Sequence, residues 1–386
     1  MLNHSIPPAS QVQHTSSGVP FSALTRTSLY FSDGNIVLVA GNALFRVHRG
    51  QLARHSEVFQ GLFTLPTPPQ DQLYDGCQWI ELFDSPKDVF YWLASLYDGL
   101  YFPSPRALQF PALASTLRLS GKYFSTTLQG ICAQRLALDW PNTLEGWDRR
   151  EAEATLPSES GPRYCPRDFA PHPVSVIFTA LELDLPELLP SAMYDLSRYG
   201  PSRVLAGAIV PHGPYSDEPA HRAMGHGPHE VQSLPRELLV RVLRGRENGQ
   251  RYISMFITRE LQDRAPSQRC FYMALQHAAP SPCQESFYFI TLNILRSVGG
   301  IASGRDGDPL FTLLHAKEMM DRTDFEDGQG DGPKALRICG ECRRELGKSI
   351  EDAREEVWSS LPQWYGLERE KGEVGLEDSF ECNVTI

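Results

Sequence analysis

Asp33-Gly34-Asn35-Ile36-Val37-Leu38-Val39-Ala40-Gly41-Asn42-Ala43-Leu44-Phe45-Arg46-Val47-His48-Arg49 is the stretch whose reading decides the fold. Asn35 to Val39 is apolar and rich in branched residues, bounded by Ser32-Asp33-Gly34 before it and Gly41-Asn42 after it. Two such runs around a Gly-Asn pair predict a hairpin. In the second run, Ala43 to Val47, Leu44 and Arg46 alternate with Phe45 and Val47, so one face is covered and the other tolerates charge. At His48 the period changes. Leu52, Ser56, Phe59 and Phe63 recur every three or four residues, with Arg54, Glu57 and Gln60 on the other faces, the pattern of one amphipathic helix.

Outward from this core, Pro66, Pro68 and Pro69 stop the helix, and Trp79 to Phe83 alternate as a third strand. Ser85-Pro86-Lys87-Asp88 then starts a helix: a capping hydroxyl, Pro at the first helical position and a carboxylate near the positive helix end. Phe90, Leu93 and Tyr97 form its buried stripe, and Gly99 supplies a left-handed stop. A helix opening at Pro111 breaks near Gly121, and another runs from Lys122 to about Leu138. Val37, Leu38, Leu52, Phe59, Ile80, Leu82, Phe90, Leu93, Leu113 and Leu117 are the expected core.

The expected organisation is α+β: a flexible tail over 1–28, a sheet-and-helix domain over 29–138, a linker or surface loop over 139–173, a helical region over 174–366 and an acidic disordered tail over 367–386. Within the helical region, Val174 to Leu183, Leu188 to Tyr199, Pro235 to Leu243, Ile253 to Leu261 and Ile350 to Leu361 show helical spacing. Pro211 to Pro228 reads as a loop rich in His, Pro and Gly.

The order strand, strand, helix, strand and helices from Phe31 to Leu138 resembles the BTB (POZ) domain, a protein-interaction fold. Asp33-Gly34-Asn35-Ile36-Val37-Leu38 looks like that family's opening strand, and Phe45-Arg46-Val47-His48-Arg49 is similar to its strand-His-helix signature. Tyr97-Asp98-Gly99 with Tyr101 resembles the close of its middle helix, and Leu117-Arg118-Leu119-Ser120-Gly121-Lys122-Tyr123 its next helical pair. Asp139-Trp140-Pro141, Leu188 to Tyr194 and Trp358-Ser359-Ser360-Leu361-Pro362 extend the likeness to full-length BTB proteins of mushroom-forming fungi. The resemblance implies a protein-binding, self-associating adaptor. It makes Phe21, Leu24, Leu29, Tyr30 and Phe31 interface candidates, the alternative being that they cap the domain's own core. Arg49 keeps the basic residue of the family's charged pocket, but Asn35 stands where many members carry Asp, which puts repressor-peptide binding in doubt. A substrate adaptor for a cullin-type ubiquitin ligase is a second reading. A hydrolase or transferase with its site in 174–360 is a third, from a different class.

The chemistry-bearing residues are few. His48 at a strand-to-helix junction could act as a base or hydrogen-bond main chain, and Ser56 lacks the Gly-x-Ser-x-Gly turn of a nucleophile. Cys339-Gly340-Glu341-Cys342 has ligand spacing. Two thiolates on a tight turn can hold zinc if two more ligands join them, and Cys270, Cys283 and His277 are candidates. Without those partners the pair is simply two thiols. His212, His221, His226 and His229 fall in a loop with nothing to fix geometry, and Asp324 to Gly328 fails the calcium-loop template. No catalytic residue and no cofactor is expected, a structural zinc at Cys339 and Cys342 being the alternative to two plain thiols.

Composition sets the outer limits. The chain has 386 residues, 41% hydrophobic and 22% charged, the balance of an ordinary globular protein. Its acidic excess is C-terminal, with 20 acidic and 11 basic residues after Gly299, so no cationic stripe suits nucleic acid. Phe287 to Leu295 falls well short of the roughly 20 apolar residues of a membrane helix. Eight scattered cysteines do not make a secreted disulfide framework. The expectation is an intracellular protein, cytoplasmic or nuclear, that binds proteins and neither nucleic acid nor membrane.

Overall fold

The computed structural model describes residues 14–65, 73–99, 109–157, 163–209, 231–275, 280–298, 307–321 and 336–368. It is mixed α+β, a small N-terminal sheet followed by helices. The chain divides into two compact units, Met1–Leu188 with Gly207–Ser233, and Leu189–Ala206 with Leu234–Ile386. The division therefore falls within the region read as one helical stretch with loops over 174–366. No helix among the described residues is long and apolar enough to cross a membrane.

In the first unit, strands β1 (Thr25–Tyr30), β2 (Ile36–Ala40), β3 (Ala43–Val47), β4 (Leu73–Tyr74) and β5 (Cys77–Leu82) form one sheet in the order β1-β3-β2-β5-β4. The expected hairpin is β2–β3, antiparallel from Ile36↔Val47 to Ala40↔Ala43, with Gly41 at φ +53° making the turn. Parallel β5 flanks β2, pairing Ile36 with Gln78 through Ala40 with Leu82. All five residues of β2 are buried, because both faces of the sheet are covered.

Helices α1 (Arg49–His55), α2 (Glu57–Leu62), α3 (Pro86–Tyr97), α4 (Phe110–Lys122) and α5 (Thr126–Asp139) follow in chain order. The main core joins Ile36, Leu38, Phe45 and Val47 of the sheet to Leu52, Phe59, Phe90, Trp92 and Leu93. On the opposite face Val37, Val39, Leu44 and Cys77 are covered by Phe21, which stacks on Tyr74 at 4.2 Å. Of the expected core residues only Ile80 is partly exposed.

Several expectations need correction. The stretch read as one helix after His48 is two, since Ser56 is extended at φ −139° and caps α2, its Oγ accepting the Phe59 N–H at 3.2 Å. The tail read over 1–28 holds the first four residues of β1, which runs parallel to β3 and was hidden because its inward Thr27 is polar; that hydroxyl donates to the Leu44 carbonyl at 3.1 Å. Ser85 sits at the start of α3 without a side-chain capping bond, whereas Gly99, at φ +75°, does adopt the left-handed stop. The linker read over 139–173 holds the helix Leu144–Glu153, started by Thr143 Oγ1 accepting the Gly146 N–H. Arg150 on that helix lies between the Trp140 and Trp147 rings, 4.6 Å from each, so a polar-looking segment packs through a cation–π stack.

The second unit is built from helices. Leu189–Ser197 and Pro201–Ala206 precede the 21-residue helix Arg236–Phe256, whose end widens into a π-helical turn at Ile257–Leu261. Two helices read at Pro235 and Ile253 are thus one. Phe271–Ala274, Pro282–Val298, Pro309–Met319 and the 25-residue Gly340–Trp364 complete the unit, the last absorbing the expected helix at Ile350. A buried polar network ties it together. Asp308 caps Pro309–Met319 through the Phe311 N–H, accepts Tyr194 Oη at 2.6 Å, and pairs with Arg198 at 2.9 Å.

Candidate metal centre

Cys270, Cys283, Cys339 and Cys342, all buried, bring their sulfurs within 4.8 Å of one another in the second unit. Cys270 Sγ lies 3.7 Å from Cys283 Sγ and 3.8 Å from Cys339 Sγ. Disulfide sulfurs sit at about 2.05 Å, whereas a tetrahedral zinc tetrathiolate with bonds of about 2.3 Å has edges of about 3.8 Å. The spacing fits the second arrangement. The cluster could hold a metal ion such as zinc.

Local structure explains why four thiols converge. Cys339 is the N-cap of Gly340–Trp364 and Cys342 lies in its first turn, so the Cys-x2-Cys spacing becomes a helix start. Cys270 caps Phe271–Ala274, and Cys283 is the second residue of Pro282–Val298. Each thiol therefore sits at or near the start of a helix, and three such helices carry the four ligands to one place. The Cys339 N–H donates to Cys283 Sγ and the Ser267 N–H to Cys342 Sγ, both at 3.3 Å.

These surroundings separate the thiols. Burial opposes a thiolate at Cys339, but the N–H groups of Cys342 and Phe271 and the neighbouring thiols prevail, bringing its pKa down to about 7. Burial pushes Cys283 up to about 11 and raises Cys342 as well. Cys339 is thus the thiol that yields its proton before these two.

The Cys339–Cys342 pair read from spacing is part of this cluster, and of the three candidate partners Cys270 and Cys283 join it, while His277 lies outside the described residues. The histidines at 212, 221, 226 and 229 and the acidic loop from Asp324 also lie outside them. Sequence reasoning missed Ser267 and Glu345. Ser267 Oγ donates to Glu345 Oε1 at 2.6 Å across 78 positions, a separation that no local pattern reveals.

The first unit uses its candidate residues differently. Leu29, expected at an exposed interface, is only 6% exposed and belongs to the main core. Leu24 and Tyr30 are half-buried against the far-face cluster with Phe21, and Phe31 packs against the main core. The cause is the two-sided burial of β2, which requires a cover on each face. Arg49 lies over the Phe63 ring at 4.5 Å and donates to Gln78 Oε1 at 2.7 Å, while its N–H reaches Asn35 Oδ1 at 2.8 Å. Tyr97 Oη accepts the His48 N–H at 2.9 Å and lies 3.0 Å from His48 Nδ1, and Nε2 faces Asp33 at 3.3 Å. His48 is tied into the junction between strand and helix. Ser56 is occupied by its cap and by the Tyr123 carbonyl. No family model matches the chain, and a search of curated proteins finds no match to it.

Proposed function

We propose that this chain is a non-catalytic protein-interaction module whose N-terminal unit works in the manner of a BTB domain and whose helical unit is braced by a structural zinc. The observation that carries the reading is the closed thiol tetrad. Four buried protein ligands leave no coordination position for water or substrate, which is the arrangement of structural rather than catalytic zinc. In the first unit the residues best suited to chemistry, His48 and Ser56, are engaged in holding elements together.

Binding then falls to surface. Val58 and Leu62 on α2, Leu65 just after it, and Phe124, whose carbonyl accepts the Glu57 N–H, are large apolar side chains left exposed. Phe83, at the end of β5, is 84% exposed. Exposed apolar side chains of this size suit a protein partner, and the reading commits to a second copy of this chain.

Two measurements test this. Elemental analysis of protein purified without chelator should find one zinc per chain, and light scattering on a size-exclusion column should give a dimer that Leu62→Asp with Phe124→Asp returns to monomer. A metal-free wild type would remove the zinc brace; a monomeric wild type at micromolar concentration would remove self-association.

A further inference from the structure

Zinc–thiolate sites depend on the groups that hold their ligands, and one thiol of this tetrad is held by a contact outside the four cysteines. Cys342 Sγ accepts the backbone N–H of Ser267 at 3.3 Å. Ser267 is itself fixed in two ways: its hydroxyl donates to Glu345 Oε1 at 2.6 Å and accepts the N–H of Arg269 at 3.2 Å. The Cys270 N–H then donates to the Ser267 carbonyl at 2.9 Å, closing a turn that delivers the Cys270 ligand. Glu345 follows Cys342 by three residues on the same helix, so its carboxylate and the Cys342 sulfur share one face of Gly340–Trp364. The same helix face thus holds both the N–H that donates to the Cys342 sulfur and the turn carrying another ligand.

Resting on the zinc reading above, we infer that Ser267 and Glu345 form an outer clamp that positions Cys342 and Cys270 for the metal, Glu345 acting through Ser267. Three links support the assignment. Ser267 is buried, so its hydroxyl is poorly placed to trade Glu345 for water. A carboxylate acceptor makes the hydroxyl bond stronger than a neutral partner does. An N–H donated to a thiolate lowers its charge, which matters where four sulfurs surround one divalent ion. Glu345 does not ligate. Its Oε1 is committed to the serine, and the four sulfurs already fill a tetrahedral shell.

The clamp predicts a particular pattern in full-length protein. Ser267→Ala and Glu345→Ala should each weaken zinc retention by about 10- to 100-fold, measured by competition with a chromogenic chelator, while saturating zinc still gives one ion per chain. Ser267→Thr and Glu345→Gln keep a hydroxyl donor and an amide oxygen acceptor, and should restore most of the loss. Cobalt(II) in place of zinc supplies a second readout, because its visible spectrum follows ligand geometry. The Ala variants should shift that spectrum and the conservative pair should not. If the wild type binds zinc and both Ala variants retain it as tightly with the cobalt spectrum unchanged, the clamp is wrong and the zinc reading stands. If the wild type takes up neither ion, the zinc reading fails and the clamp with it. Helical circular dichroism of zinc-loaded Glu345→Ala separates a loosened site from a misfolded chain; a folded variant with weakened retention supports the clamp, and loss of helicity that Glu345→Gln shares overturns it.

Discussion

Ser56 Oγ donates to the Tyr123 carbonyl at 2.6 Å while accepting the Phe59 N–H, joining the start of α2 to the end of α4 through one oxygen. Removing that hydroxyl strips a helix cap and leaves a buried carbonyl without its partner. Ser56→Ala should lower the stability of the first unit by about 1 to 3 kcal/mol. Urea denaturation monitored by tryptophan fluorescence checks this, and a midpoint equal to wild type would refute it.

Leu52 is fully buried among the sheet and helix residues of the main core. Leu52→Ala should therefore cost about 2 to 5 kcal/mol, the transfer term plus the cavity left behind. Leu29→Asp should unfold the first unit rather than separate intact subunits, because its carboxylate would sit in that same core. A folded Leu29→Asp monomer by circular dichroism and light scattering would contradict the packing described for β1.

Gly245 lies inside the helix Arg236–Phe256, where Ala ordinarily stabilises by roughly 0.5 to 1 kcal/mol over Gly. Here the sign reverses. A Cβ at this position would lie 1.9 Å from Tyr365 Cε1, and the Tyr365 ring is anchored by its 2.9 Å hydrogen bond with Ser197. Gly245→Ala should destabilise the helical unit, read as a lower thermal midpoint; a raised midpoint would show that the ring can move aside.

Metal-free protein should carry a pH signature from Cys339, whose pKa falls to about 7. A folded-state value below the unfolded one means its contribution to stability is present above the unfolded value near 9 and is lost as pH falls through about 7. Cys283, raised to about 11, works in the opposite sense: its contribution is present below about 9 and is lost as pH rises through about 11. Mass-mapped alkylation of chelator-treated protein should label Cys339 half-maximally near pH 7, well before Cys283. Equal labelling of the two across neutral pH would contradict the arrangement of N–H donors around Cys339.

Periodicity located β2, β3, β5 and α3 because their apolar residues repeat at strand or helix spacing and bury accordingly. It joined α1 to α2 because Leu52 and Phe59 keep helical spacing across Ser56, and spacing does not register the extended residue between them. It overlooked Leu144–Glu153 because that helix packs through Arg150 and two tryptophans rather than through an aliphatic stripe. In the thiol cluster, Cys339 and Cys342 were legible from their Cys-x2-Cys spacing, which falls on a helix start. Cys270 and Cys283 could be named but not distinguished from His277, since only the tertiary fold brings them to a pair 56 positions or more further along.

The ligands of the thiol cluster are also separated in time during synthesis. Cys342 leaves the ribosome 72 residues after Cys270, an interval of about 4 to 14 s at elongation rates of roughly 5 to 20 residues per second. From the synthesis of Cys283 until that of Cys339, the nascent chain carries Cys270 and Cys283 without the helix start that will enclose them. Leu189–Ala206, first-made part of the same unit, waits longer still for the C-terminal helix. The thiol cluster of the helical unit is consequently completed only once translation has passed Cys342.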